Sequence, residues 1–167
     1  MDKGNANAFF LLAGYYATGS RGLARDFQKS NELNLKAGEL GCAEAYYNLG
    51  HSYRRGEGVE VDIKKSMYYY ELAAMGGDII ARNNLGALEG NAGNERRAMR
   101  HFILAARAGY KESLEGVKYG FVKGYVTKDE YTTTLRAHQK IQDEIKSDER
   151  DRAAAYYEAL DQVRIRV

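Results

Sequence analysis

The hexapeptide AYYNLG, Ala45 to Gly50, returns as ARNNLG, Ala81 to Gly86, after 36 residues. Alanine, asparagine, leucine and glycine keep their places while the residues between them change. A fixed period of this length marks an architecture built by copying one supersecondary unit. The same 36-residue shift carries DFQKS, from Asp26, onto DIKKS, from Asp62. The units also close alike: KAGELG ends at Gly41, LAAMGG at Gly77 and LAARAG at Gly109.

Backwards from the hexapeptide, a shift of 37 places Ala8, Leu12 and Tyr16 under Ala45, Leu49 and Tyr53, so the first loop holds one extra residue. Forwards, a shift of 32 carries Leu72 and Ala73 onto Leu104 and Ala105, so the third unit has lost four residues from its loop. The units run over approximately 5–41, 42–77 and 78–109, with a divergent fourth over 110–146. Each contains two amphipathic helices. Ala45, Leu49 and Tyr53 form one helical stripe, and Met67, Tyr70, Ala73 and Ala74 form another. Asp26 and Asp62 stand where a side chain can accept from the free amides of a first turn. Gly41, Gly77 and Gly109 stand where a helix ends and reverses. No alternating strand pattern competes with this reading. The fold class is therefore all-α: helix, glycine loop, helix, sharp turn, stacked so that neighbours share a continuous core in a curved solenoid.

The loop RRGEGVEVD, Arg54 to Asp62, contains a Gly-x-Gly that invites a phosphate-binding reading. It follows a helix rather than a strand, and no Gly-Lys-Ser/Thr accompanies it. Gly56 and Gly58 recur in altered form as Gly19 and Gly22, and the third unit shortens the same place. A loop that one copy can shorten is a connector first.

The second unit, A-x-x-N-L-G-x-x-Y-x-x-G-x-G-V-x-x-D-x-x-K-S followed by Tyr69, Tyr70, Ala73, Ala74 and Gly77, resembles a Sel1-like repeat, a relative of the tetratricopeptide repeat. The family pattern has Trp-Tyr where this chain has Tyr69-Tyr70 and His101-Phe102. It often has alanine where Ser30 and Ser66 stand, and Ala98 keeps it. The third unit has EGNAGN in place of the glycine loop. The resemblance covers about two thirds of the chain. It implies a right-handed α/α superhelix that acts as a scaffold or adaptor and binds other proteins without doing chemistry. It also implies that the first helices line the concave face. There Asn48, Ser52 and Arg55 lie on one face of their helix, and Asn84, Leu88 and Asn91 match them one repeat later. These six are the expected peptide-binding residues, with the asparagine amides pairing with an extended ligand's backbone or, equally, bonding between repeats.

Other chemistry finds little support in the residues. Net charge is +2, and acids interleave with the basic pairs Arg54-Arg55, Lys64-Lys65 and Arg96-Arg97. That is a mixed surface rather than an electrostatic stripe, so no nucleic acid is expected. No run approaches the ~18 apolar residues of a membrane span, and the flank before Ala8 lacks the positive region of a signal peptide. Cys42 is the sole cysteine, which excludes an internal disulfide and suggests a cytoplasmic or other reducing compartment. At a helix start its thiol reads as a packed side chain before a nucleophile. His51, His101 and His138 are scattered without ligand spacing, so neither metal nor cofactor is expected. Glu57 and Glu60 read as solvated loop carboxylates. With 14 tyrosines and no tryptophan, tyrosine is the large aromatic of both core and surface, and Tyr68 is the exposed member of Tyr68-Tyr69-Tyr70.

Residues 1–127 thus form the repeat region and 128–167 a C-terminal capping helix or helices. Leu114, Val117 and Phe121 form the stripe of the preceding helix. Thr127 and Glu130 have capping-box spacing, so a helix starts near Lys128. Tyr131, Leu135, His138, Ile141 and Ile145 supply its packing face, and Tyr156, Tyr157, Leu160 and Val163 a second apolar set. Lys146 to Arg152 is either a solvated stretch of helix or a break. The functional expectation is a non-catalytic protein-interaction scaffold. The alternatives are a small hydrolase or transferase using His51, and a homo-oligomer joined through the C-terminal helix.

Overall fold

The computed structural model describes residues 3–165, with side chains described for residues 4–156. Within them lie eight helices and no strand: α1 (Lys3–Thr18), α2 (Phe27–Glu39), α3 (Ala43–Arg55), α4 (Ile63–Met75), α5 (Ile79–Asn91), α6 (Glu95–Arg107), α7 (Lys111–Val122) and α8 (Lys128–Ile165). The chain divides into two compact units, one reaching to Phe102 and one from Ile103.

In the first unit, local chemistry explains three helix starts and the reversals between repeats. Asp26, Asp62 and Asp78 each accept from the third amide of the helix that follows, at 2.9, 3.0 and 2.7 Å. These caps satisfy donors that a helix start otherwise leaves free. The sharp reversals are copies of one turn. Gly41 and Gly77 both adopt φ +97°, where an L side chain is strained. The next amide reaches five residues back, from Cys42 to Ala37 and from Asp78 to Ala73, at 3.0 Å in each case. That is the Schellman ending. The longer loops also match: the Asp26 amide donates to the Tyr16 carbonyl (2.8 Å) and the Asp62 amide to that of Tyr53 (2.9 Å). This equivalence sets α1 on α3 at a shift of 37, making Ala13 the counterpart of Gly50.

The core is made of small residues and a few aromatics. Ala13, Ala37, Ala45, Ala73, Ala81 and Ala98 are fully buried. A Cβ built on Gly50 would lie 2.6 Å from the Tyr70 ring, and one on Gly86 would lie 2.7 Å from the Phe102 ring. In each of these repeats the aromatic of the second helix lies against bare backbone of the first. Ser66 fastens the pair by donating to the Gly50 carbonyl at 2.7 Å. On the other side of α4, Tyr69 stacks with Tyr53 (centroids 5.5 Å) and Tyr46 (6.1 Å), while Tyr68 is exposed as expected.

Two expected features are corrected. Ala8 and Leu12 are exposed, and α1 buries Ala6 and Ala13 instead. In α3 the equivalent Ala45 is covered because α2 packs against it, in a cluster with Ala37 and Cys42. No described element packs in that way on Ala8. Glu57 is not a solvated loop carboxylate: it is half-buried, 3.3 Å from Arg55 Nε. Glu60 is exposed.

The third repeat replaces its missing loop with a carboxylate. Glu89, only 1% exposed, accepts from Asn94 Nδ2 at 2.8 Å and pairs with Arg97 Nε at 3.0 Å. A Schellman ending at Gly93 then turns the chain directly from α5 toward α6.

In the second unit, Thr127 and Glu130 form the expected capping box. The Thr127 amide donates to Glu130 Oε2 (2.8 Å) and the Glu130 amide to Thr127 Oγ1 (3.2 Å). The Thr127 amide and hydroxyl, both donating to Oε2, hold the Glu130 carboxyl below its ordinary range. α8 continues through Lys146 to Arg152 without a break, its side chains there exposed except for half-buried Ser147. It covers the end of α6: His138 Nδ1 donates to the Ala106 carbonyl (2.9 Å) and Gln142 Nε2 to that of Gly109 (3.1 Å). The packing face differs from the expected one. Leu135 and Ile145 are exposed, and Thr134 is buried in contact with Arg107 Nε (3.2 Å). A polar face thus serves the polar end of a helix, where free carbonyls need donors. Phe121 is over a third exposed yet stacks on Tyr131 (4.8 Å). The apolar set at Tyr157, Leu160 and Val163 lies outside the residues whose side chains are described.

Candidate functional site

Of the six expected ligand residues, the structure brings two to a common cavity. Asn48 and Ser52 of α3 line a hollow of about 130 Å³ together with Gly14 and Ala17 of α1, Phe27, Ser30 and Asn34 of α2, and His51 and Glu57. Arg55 is exposed beside it and pairs with Glu57. Asn84, Leu88 and Asn91 of α5 do not line it. Asn84 is half-buried, Asn91 is exposed, and Leu88 packs against the cluster around Tyr70, Ala73 and Leu85.

The cavity's wall comes from three helices whose spacing the repeat sets. Ser30 and Asn34 are one turn apart on α2, and Asn34 Nδ2 donates to Ser30 Oγ at 3.4 Å. Asn31, from the next face, donates to the Glu57 carbonyl at 2.8 Å, which fixes the α3–α4 loop against α2. Asn34 is only 3% exposed, and its Oδ1 has no hydrogen-bond partner. A buried acceptor that no protein group satisfies is one that a bound donor can pair with.

The charges around the cavity nearly cancel. Glu57 is neutralised by Arg55, and His51 Nδ1 lies 3.6 Å from Glu57 Oε2, beyond hydrogen-bonding distance. Burial lowers the His51 pKa, against the pull of Glu57 and with the help of Arg54 and Arg55. The imidazole is therefore neutral near pH 7. No hydrogen bond joins it to a hydroxyl or thiol among the described residues, so it lacks the nucleophile partner that base catalysis of acyl transfer needs. Cys42 is buried, and desolvation, its largest influence, raises its pKa. Its Sγ lies 3.5 Å from Glu44 Oε2, so the thiol is packed rather than activated. Among the described residues no group of three His, Cys, Asp or Glu is placed to hold a metal, and no helix is long and apolar enough to cross a membrane.

Sequence reasoning missed Ser30, Asn34 and Glu57 as members of the site. Asn34 had a readable signal. The shift that carries Asp26 onto Asp62 carries Asn34 onto Tyr70, so a polar residue occupies a repeat position that elsewhere holds an aromatic.

Comparison with known proteins agrees with the all-helical repeat fold. The chain is 35% identical over 72 residues to the ERAD-associated E3 ubiquitin-protein ligase component HRD3B of Arabidopsis thaliana. The match covers 43% of this chain and 12% of that protein, so the chain spans about an eighth of its relative. Among solved structures, a Sel1 repeat protein from Oxalobacter formigenes superposes with a TM-score of 0.67 at 23% identity, over 81% of this chain and 58% of that one. The Escherichia coli protective antigen c5321, which displays an SLR fold, gives 0.70 at 24% identity, over 83% of this chain and 31% of that one. The Sel1 repeat model itself matches three successive segments, residues 6–42, 43–78 and 79–110, and by that match the chain belongs to the Sel1 repeat family.

Proposed function

We propose that the chain is a non-catalytic interaction scaffold that binds a peptide or protein segment along its first helices, over α3 and α5. Sel1 repeat proteins generally serve as protein-interaction scaffolds, which supports the class. The observation that carries the reading is the open polar cavity lined by Asn48 and Ser52 with the exposed Arg55 guanidinium beside it. Amides at Asn48 and, one repeat later, Asn84 offer donor and acceptor at a regular spacing, which suits an extended backbone. A hydrolase centred on His51 has no such observation in its favour.

The test is affinity capture from the source cell with mass spectrometry, using the full chain and a variant with alanine at Asn48, Arg55 and Asn84. Specific partners of the full chain should be depleted at least about tenfold by the triple change, as expected when several interface hydrogen bonds go together. Unchanged capture of every partner would remove this face from consideration.

A further inference from the structure

The cavity between α1, α2 and α3 is a place where the repeat has lost its own plug. In the second repeat Tyr70 fills the equivalent position, fully buried on the bare backbone of Gly50. In the third, Phe102 does so on Gly86. In the first repeat both partners have changed: Asn34 stands for the aromatic and Ala13 for the glycine. The smaller amide leaves a hollow of about 130 Å³, and the buried Asn34 Oδ1 there has no partner.

We propose that this vacated aromatic slot is a subsite for a neutral carboxamide, the side chain of a glutamine or asparagine presented by a bound peptide. The proposal rests on the peptide-binding reading above and assigns that ligand a residue class. Three observations select the carboxamide. The polar wall is made of Asn34, Asn48, Ser30 and Ser52, groups that each donate and accept, so a guest that does both is matched. Glu57 is already paired with Arg55 and His51 is uncharged, so a charged guest would be desolvated without a free counter-ion. Gly14, Ala17 and Phe27 supply an apolar wall for the guest's methylenes, and Arg25 stands 5.5 Å over the Phe27 ring.

The experiment is an NMR titration of the ¹⁵N-labelled full chain, read at the Asn34 and Asn48 side-chain amides. The probes are N-acetylglutamine methylamide and its glutamate, lysine and leucine analogues. The glutamine probe should shift both amides with a dissociation constant on the order of millimolar, as befits a small fragment. The others should bind at least about tenfold more weakly, since a mismatched buried polar group is rejected strongly. Asn34→Leu should fold and lose the response. Asn34→Tyr combined with Ala13→Gly should rebuild the plug of the second repeat and lose it too. Equal shifts from all four probes, no shift from any (a cavity holding water alone), or retained affinity in Asn34→Leu would each overturn the assignment. The peptide-binding reading fails separately. If Asn34→Leu captures partners normally while the Asn48, Arg55 and Asn84 triple variant does not, the subsite is wrong and the scaffold face stands.

Discussion

Replacing Gly50 by alanine is the sharpest test of how the repeats pack. In most helices that change is favourable, because glycine costs up to about 1 kcal/mol relative to alanine. Here the new Cβ would sit 2.6 Å from Tyr70 Cδ1 and 2.8 Å from Cε1. Carbons in contact settle at about 3.5–4.0 Å, so the ring must withdraw by about 1 Å. It has little room, being fully buried among Ala73, Ala74, Ala81 and Leu85 with Tyr47 5.7 Å away. Overpacking of this kind costs about 1–3 kcal/mol. The clash therefore outweighs the helix gain, and Gly50→Ala should lose roughly 1–2 kcal/mol. Gly14, in α1, is the control: its Cβ would meet nothing within 4 Å, so Gly14→Ala should be neutral or gain up to about 1 kcal/mol. Urea unfolding followed by far-UV circular dichroism reads both as midpoint shifts at constant slope. A cycle with Tyr70→Leu should give a coupling of at least about 1 kcal/mol, because the smaller side chain relieves the clash. A Gly50→Ala protein as stable as the parent, or two glycine variants that shift the same way, would refute the packing argument.

Asp62→Ala removes the oxygen that accepts from the Lys65 amide at 3.0 Å and should cost ~1 kcal/mol, with Asp62→Asn losing much less by the same unfolding measurement. Arg97→Met strips the buried Glu89 carboxylate of its guanidinium and leaves it Asn94 alone; it should cost roughly 2 kcal/mol, and adding Glu89→Gln should recover most of that. If Arg97→Met leaves the urea midpoint unmoved, the pair is no more than a surface contact. His101 is held below the ordinary imidazole pKa, first by burial and then by the Arg82 charge. Its neutral form is thus favoured on folding, so its contribution is full above the unfolded value of about 6.5 and is lost as pH falls through the lower folded value. His101→Phe should flatten stability between about pH 7 and 5, though His51, lowered for the same chief reason, keeps part of the slope. An unchanged slope would count against the burial argument.

Legibility in the sequence followed the physics of each feature. The helix starts at Asp26 and Asp62, the reversals at Gly41 and Gly77, and the capping box at Thr127 and Glu130 are local: a few neighbouring residues decide them, and all were readable. What depends on a neighbouring element was not. Ala8 and Leu12 carry the same pattern as Ala45 and Leu49, yet they are exposed, because burial belongs to the helix packed opposite and periodicity describes only one surface. Glu57 read as a solvated acid because its loop is glycine-rich; Asn31, reaching across from α2, helps hold that loop in. Leu135 and Ile145 looked like packing residues on α8, but the end of α6 presents carbonyls, and His138 and Gln142 answer them.

The cavity shows how a repeat protein can gain a site without adding residues. Copying a unit copies its plug, and the plug is a pair: an aromatic and the glycine that lets it come close. Changing the aromatic alone, as Tyr70→Asn would do in the second repeat, leaves a void over bare helix backbone, which costs dispersion contacts and keeps a flexible glycine. Changing both, to Asn34 and Ala13, returns the helix-forming residue to α1 and leaves the hollow lined by Asn34. The buried amide that remains has an Oδ1 that no protein group satisfies. A packing defect would be cheaper with leucine at this position, because an apolar side chain fills space and strands no acceptor. The residue that stands there instead leaves an acceptor facing the cavity, which a bound donor would satisfy.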